Sequence, residues 1–367
     1  MVGAVRGVGF VALPSHVKEM RSMQFDLSGE PVHTRCLSVS LTQGQGASID
    51  FRADIIDLRK AGLMELAGRI ATAGIIHKME LRGAYSPDTD RIEQIEWDQS
   101  HVMHEANRAT KGECCRDPMV RLKELVGTRL GDAFASELKQ CFGGPLGCTH
   151  VSTLFHELSA FASRLRVIRT EHPELSVTHA PAERIASRAL FFDAFLPDGR
   201  ATAAINVRLT DNHFGELQEN GSESLLSHEE VRLVAEVELA GWQLRGLGAK
   251  ERCRQGPTFG EAPWRDRTEE LGEFAGQSLG GGMARLCLER LGQRDDDARL
   301  RSTMLNLAPG MTQVGVALSD SLVPSTRARP DGSGLAGPGP CYMLRAEGPL
   351  MQNLGSWNGG DPIGEGG

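Results

Sequence analysis

Gly143-Gly144-Pro145-Leu146-Gly147-Cys148-Thr149-His150 is the stretch from which the rest of the chain is read. Its glycines and proline make a bare, rigid turn, because glycine tolerates backbone angles that other residues avoid. Thr149 reads as an N-cap for an amphipathic run over 151–167, with Leu154, Phe155, Leu158, Phe161 and Leu165 at helical spacing. Cys148 and His150 are therefore expected at a helix N-terminus, where free N–H groups and the positive dipole end favour a thiolate or a bound anion. His150, Thr153 and Glu157 continue along one face of that helix at i, i+3 and i+7. This face is expected to wall an active site.

Upstream, residues 35–41 and 47–57 read as strands joined by Gln43-Gly44-Gln45-Gly46. Residues 62–73 read as a short helix or a long loop. A hairpin of 75–84 and 91–97 follows across Ser86-Pro87-Asp88, and 119–142 reads as a helix interrupted near Gly127 and Gly131. The unit is β-β-β-β-α-α, an antiparallel sheet with helices on one face.

Downstream the pattern returns. A shift of 149 residues lays Arg116-Asp117 on Arg265-Asp266, Gly127 on Gly276, Leu130-Gly131 on Leu279-Gly280, Gly143 on Gly292 and Leu158 on Leu307. Further upstream, Arg35 pairs with Arg188 and Asp57 with Asp211 after the shift drifts. The expected class is α+β: two similar units arranged as an intramolecular pseudo-dimer. The expected divisions are a lead-in over 1–25, a first repeat over 26–172 carrying the site, a degenerate second repeat over 183–312, and a Gly/Pro-rich tail over 320–367. Within the tail only Cys341-Tyr342-Met343-Leu344 is apolar enough to dock on the body.

Composition narrows the class. The 367 residues carry a net charge of −8 and 40% hydrophobic residues, which suits a globular protein and argues against nucleic-acid or anionic-membrane binding. The apolar run over 7–13 is too short to span a bilayer, and no signal peptide is expected. Eight cysteines without framework-like spacing point to reduced thiols and a cytoplasmic protein.

In order along the chain stand His33-Thr34-Arg35, Asp57-Leu58-Arg59, Ile76-His77-Lys78-Met79, Leu125-Val126-Gly127 and Gly147-Cys148-Thr149-His150. This series resembles a bacterial family, domain of unknown function 2889, with its HTR start, HDM segment and GCTH helix start, over roughly residues 30–165. Lys78 stands where the family pattern has aspartate. The resemblance implies no common activity, only an association with acyl-CoA and aromatic catabolism.

The repeat separates scaffold from chemistry. Cys148 falls on Asp297, His150 on Arg299, His33 on Ala186 and His77 near Glu229, whereas Arg35 and Asp57 persist. His33, His77, Cys148 and His150 are accordingly the expected catalytic residues, with Arg35, Thr153 and Glu157 as substrate contacts. Persistence also suits an architectural role for Arg35 and a structural ion pair or turn cap for Asp57. No nucleotide, flavin or nicotinamide signature is present. The expected function is a cofactor-independent lyase, hydratase, isomerase or cyclase acting on a hydrophobic aromatic, terpenoid or acyl molecule by acid–base chemistry. One alternative is a zinc hydrolase of a C–C or ester bond, with Cys148, His150, His77 and His33 as ligands. Another is a non-catalytic ligand-binding or scaffold protein. A homodimer is compatible with each.

Overall fold

The computed structural model describes residues 28–66, 69–131, 133–171, 178–197, 201–280, 282–292, 297–318 and 341–352. The lead-in over 1–25 lies outside them, as do 319–340 and 353–367 of the expected tail.

The first strands are β1 (Glu30–Gln43), β2 (Ile49–Arg59), β3 (Met64–Leu66), β4 (Arg69–Ala71), β5 (Gly74–Tyr85) and β6 (Ile92–His101). After a 3-10 segment (Asp117–Leu125) come α1 (Phe134–Phe142) and α2 (Thr149–Glu171). The strands resume with β7 (Arg184–Leu196), β8 (Thr202–Phe214), β9 (Leu225–Glu238), β10 (Leu244–Gln255) and β11 (Arg265–Asp266). Helices α3 (Met283–Leu291), α4 (Ala298–Leu305) and α5 (Leu307–Leu318) follow.

The fold is α+β with one large antiparallel sheet. Its order is β11-β10-β9-β8-β7-β1-β2-β5-β6, so the two sheets expected from the sequence share a single ladder. The join is made by β1 and β7, the first strand of each set. Each would otherwise present an unpaired edge, and pairing them satisfies both rows of N–H and C=O groups. At the centre Leu37 faces Leu190, and the register runs outward to Arg35 opposite Phe192 and Val39 opposite Arg188.

Period-two patterning decides which face is covered. Along β1 the buried side carries His33, Arg35, Leu37, Val39 and Leu41, while Thr34, Cys36, Ser38 and Ser40 lie on the half-buried side. Along β2, Phe51, Ala53, Ile55, Asp57 and Arg59 alternate in the same way. Helix α2 covers this face over β1, β2 and β5, α5 covers β1, β2 and β7, and α4 covers β8 and β9. Each large aliphatic side chain buried there contributes about 1.5–3 kcal/mol.

Two local expectations change. Residues 62–73 contain the short hairpin β3–β4 rather than a helix or a loop. The interruption expected near Gly127 and Gly131 is present: these glycines (φ 88° and 130°) adopt left-handed angles that end one helical piece before the next begins. Helix α2 starts at Thr149 itself, so Cys148 takes the capping place and its carbonyl accepts from the Ser152 N–H at 2.9 Å. Gly147 is required just before it: a Cβ there would lie 2.0 Å from the carbonyl oxygen of Phe142.

The stretch over 341–344 docks beside this turn. The Tyr342 N–H donates to the Gly147 carbonyl at 2.8 Å, Arg345 pairs with Glu113, and Met343 and Leu350 are buried.

Candidate functional site

Asp57 lies near the end of β2, with Arg35 directly across on β1 and His77 directly across on β5. His33 is two residues before Arg35 and so shares its face. His150 comes down from the first turn of α2. Sheet and helix thus bring three histidines and an arginine to one carboxylate.

The contacts divide between its two oxygens. Oδ1 accepts from Arg35 Nε at 2.8 Å and lies 3.1 Å from His33 Nε2. Oδ2 accepts from Arg35 Nη2 at 3.2 Å, and lies 3.3 Å from His77 Nδ1 and 3.2 Å from His150 Nε2. His77 Nδ1 is buried and makes no hydrogen bond of acceptable geometry despite that distance. The His77 and His150 rings lie 3.9 Å apart, tilted by 37°. Asp57 Oδ2 and the nearest nitrogens of His77 and His150 all lie within 4.8 Å of one another, a group able to hold a metal ion.

Charge and burial set the protonation states. Burial alone would raise the Asp57 carboxyl, but Arg35 and the surrounding His150, His33 and His77 outweigh it and hold the group well below the usual carboxylate range. Burial, reinforced by neighbouring His77, pushes His150 down to about 3, so the ring is neutral at physiological pH. Burial also lowers His33, against the opposing pull of Asp57. The outcome is a fixed anion beside the neutral imidazoles of His150 and His33. His150 is 13% exposed, the point at which the cluster meets solvent.

Cys148 sits at the edge of this group, its sulfur 3.8 Å from His150 Nδ1 and 4.0 Å from Met79 Sδ. The thiolate expected at a helix N-terminus does not form. Burial dominates the backbone N–H groups of Val151 and His150 and pushes the thiol up to about 12. Nor does its sulfur belong to the converging ligand atoms, where Asp57 takes the place expected for Cys148. His33 faces the other carboxylate oxygen.

Two expected substrate contacts point elsewhere. Thr153 donates its hydroxyl to the Thr149 carbonyl at 2.9 Å, within the helix. Glu157 accepts from Arg188 at 2.9 Å and from the Asn306 amide at 2.8 Å, and both partners come from the far half of the chain. Arg35 grips Asp57 and is 1% exposed. Neither of the cavities described here opens on Asp57. The larger, about 420 Å³, lies among residues such as Ser40, Asp50, Arg52 and Arg82.

Sequence reasoning passed over two residues. The sequence reading aligned Asp57 with Asp211, and that alignment made it read as scaffold. Gln313 on α5 was not singled out, yet its amide nitrogen lies 3.2 Å from His150 Nε2. Its signal was a glutamine in a helix whose only other polar side chain is Thr312, LAPGMTQVGVAL.

Residues 33–164 match the family described as protein of unknown function (DUF2889). That stretch is similar to the family, and the match covers about a third of the chain. No curated protein matches the chain. The DUF2889 segment holds His33, Arg35, Asp57, His77, Cys148 and His150, and Gln313 lies outside it.

Ion pairs occupy the positions that the sequence comparison set against Arg35, Asp57 and His77. Arg188 lies directly across from Asp211, which lies directly across from Glu229. Arg188 bonds Asp211 at 2.8 and 2.7 Å, and Glu229 accepts from Arg299 at 2.7 Å and from Arg164 at 2.8 Å. Burial would raise Glu229, but Arg299 and Arg164 pull it down to about 2. Among the described residues, no group of histidines converges there on a shared oxygen.

Proposed function

We propose that the Asp57–His77–His150 cluster binds a first-row divalent cation and that the protein is a metal-dependent enzyme acting on a hydrophobic small molecule. The observation that carries this is the crowding of Asp57 Oδ2. One carboxylate oxygen has two lone pairs, yet three nitrogens approach it at 3.2, 3.3 and 3.2 Å. One of the two imidazole contacts is therefore surplus to hydrogen bonding. Ligands around a zinc-like ion at about 2.0–2.2 Å stand roughly 3.0–3.5 Å from each other, which these spacings suit. Two imidazoles and a carboxylate favour a transition ion over Mg²⁺ or Ca²⁺. Such an ion lowers the pKa of a bound water, which suits hydrolysis of a C–C or ester bond, or a hydration or elimination. Arg35 and His33 would then orient the ligating carboxylate from its other side.

A second reading is acid–base chemistry without a cofactor, of lyase or isomerase type, with the histidines moving protons beside the protonated Cys148. The two-point grip of Arg35 on Asp57 favours it, because that guanidinium neutralises the charge that would attract a cation.

The second half we read as a diverged copy of the first. The β1–β7 register supports this, since corresponding residues Leu37 and Leu190 face each other, as at a two-fold axis. In this reading the copy keeps the scaffold and has exchanged the site for salt bridges. Eight unpaired cysteines suit a reducing compartment. Among the described residues, no helix is long and apolar enough to cross a membrane.

Elemental analysis of the tag-free protein, beside Asp57→Asn and His77→Ala, tests the proposal. About one transition ion per chain, lost in both variants, is the expected result. A wild-type protein that neither carries nor takes up such an ion would overturn it in favour of the acid–base reading.

A further inference from the structure

We propose that Gln313 supplies a fourth ligand through its amide oxygen, so that both halves of the chain build the cation site. The inference rests on the metal-dependent reading above.

Gln313 is 6% exposed, and its Oε1 has no hydrogen-bond partner. Its Nε2 faces His150 Nε2 at 3.2 Å, while Asp57 Oδ2 lies 3.2 Å from that same ring nitrogen. The two neighbours make opposite demands. An amide NH₂ only donates and a carboxylate only accepts, and a neutral ring nitrogen carries either a proton or a lone pair. Turning the terminal amide by 180° exchanges Nε2 for Oε1 and costs almost nothing in packing. Then two oxygens flank a nitrogen that can present its lone pair, and a cation satisfies all three. The contacts from Gln313 to His150, His150 to Asp57 and Asp57 to His77 run at 3.2, 3.2 and 3.3 Å, the spacing of neighbouring ligands on one ion.

The route by which Gln313 arrives is built into the fold. Helix α5 packs on β1, β2 and β7, and Gly310 lies against the Phe192 ring so closely that a Cβ would fall 2.4 Å from it. A reciprocal arm runs the other way: Arg164 of α2 reaches Glu229 of β9. That arm ends in a salt bridge. The Gln313 arm ends in a neutral oxygen donor beside an imidazole, the chemistry of a ligand.

The test uses the full-length protein, stripped with a chelator and titrated with Zn²⁺ by calorimetry and with Co²⁺ by visible absorption. Gln313→Met keeps the side-chain volume and removes the oxygen, and Gln313→Glu replaces the amide oxygen by a carboxylate oxygen. Loss of one ligand is expected to weaken Zn²⁺ binding in Gln313→Met by about 10–100-fold and to change the Co²⁺ spectrum. Gln313→Glu is expected to bind Zn²⁺ at least as tightly as wild type. If Gln313→Met binds Zn²⁺ with unchanged affinity and an unchanged Co²⁺ spectrum, Gln313 is not a ligand, although the three-residue metal site stands. Should Gln313→Met fail to fold, weakened binding in Gln313→Glu sinks the ligand role. If wild type binds neither ion, the metal reading itself fails, and the amide serves only to accept a proton from His150.

Discussion

At the scale of the residue, the cluster makes stability depend on pH in a definite direction. His150 and His33 have folded values below their ordinary 6.5, so the fold holds them neutral. Their contribution is fully present above about pH 6.5 and is lost as the pH falls toward the folded values. Each pH unit in that window costs about 1.4 kcal/mol per histidine held fully neutral. Asp57 is depressed as well, so its contribution is present above its unfolded value near 3.8 and is lost only further down. The chelator-stripped protein should therefore lose melting temperature between pH 7 and 5, and His150→Gln should flatten part of that slope. A level profile across the window would contradict the buried neutral state. The motif order placed His33, His77 and His150 as candidates, and they do meet. Asp57 was hidden because retention in both halves is the mark of a structural residue. Here the same Arg–Asp pair underlies both halves, and only its surroundings differ. Glu157 misled for the opposite reason: its helix face aims at Arg188, and helical spacing carries no information about which strand a face meets.

At the scale of the element, strands and one helix break were legible. Alternation along β1 and β2 is strict because one face of each is covered by helices and the other is half exposed. The split between the Asp117–Leu125 segment and α1 falls at Gly127 and Gly131, the glycines at which the sequence placed it. The seat of α5 was invisible, since it depends on a ring from another strand. Gly310 sets the approach of that helix to β7, so Gly310→Ala must push the Phe192 ring or the helix aside. Overpacking of this kind costs about 1–3 kcal/mol. We expect a lower melting temperature together with weaker Zn²⁺ uptake, because Gln313 rides one helical turn further along. A lower melting temperature with unaltered uptake would separate the seat of α5 from the site.

At the scale of the whole molecule, the repeat read from the sequence led to an expectation of two units, and the strands form a single sheet. Nothing in a strand's own sequence tells whether its edge meets solvent or another strand, and β1 and β7 each show the same alternating face. The polar arms that cross between the halves deepen the join: Glu157 to Arg188, Asn306 to Glu157 and Arg164 to Glu229. The first two are buried and the third partly so, and removing one member of a buried pair is costly because the other is stranded in low dielectric. The β1–β7 ladder thereby has a consequence for heat. A boundary made of a linker would let two domains melt apart, each with its own enthalpy. A boundary made of backbone hydrogen bonds through the middle of a sheet leaves no place to divide. Differential scanning calorimetry should record one endotherm whose calorimetric and van't Hoff enthalpies agree, and two resolved peaks would mean that the seam opens first. In thermodynamic terms the two sides of the seam are expected to unfold as one cooperative unit.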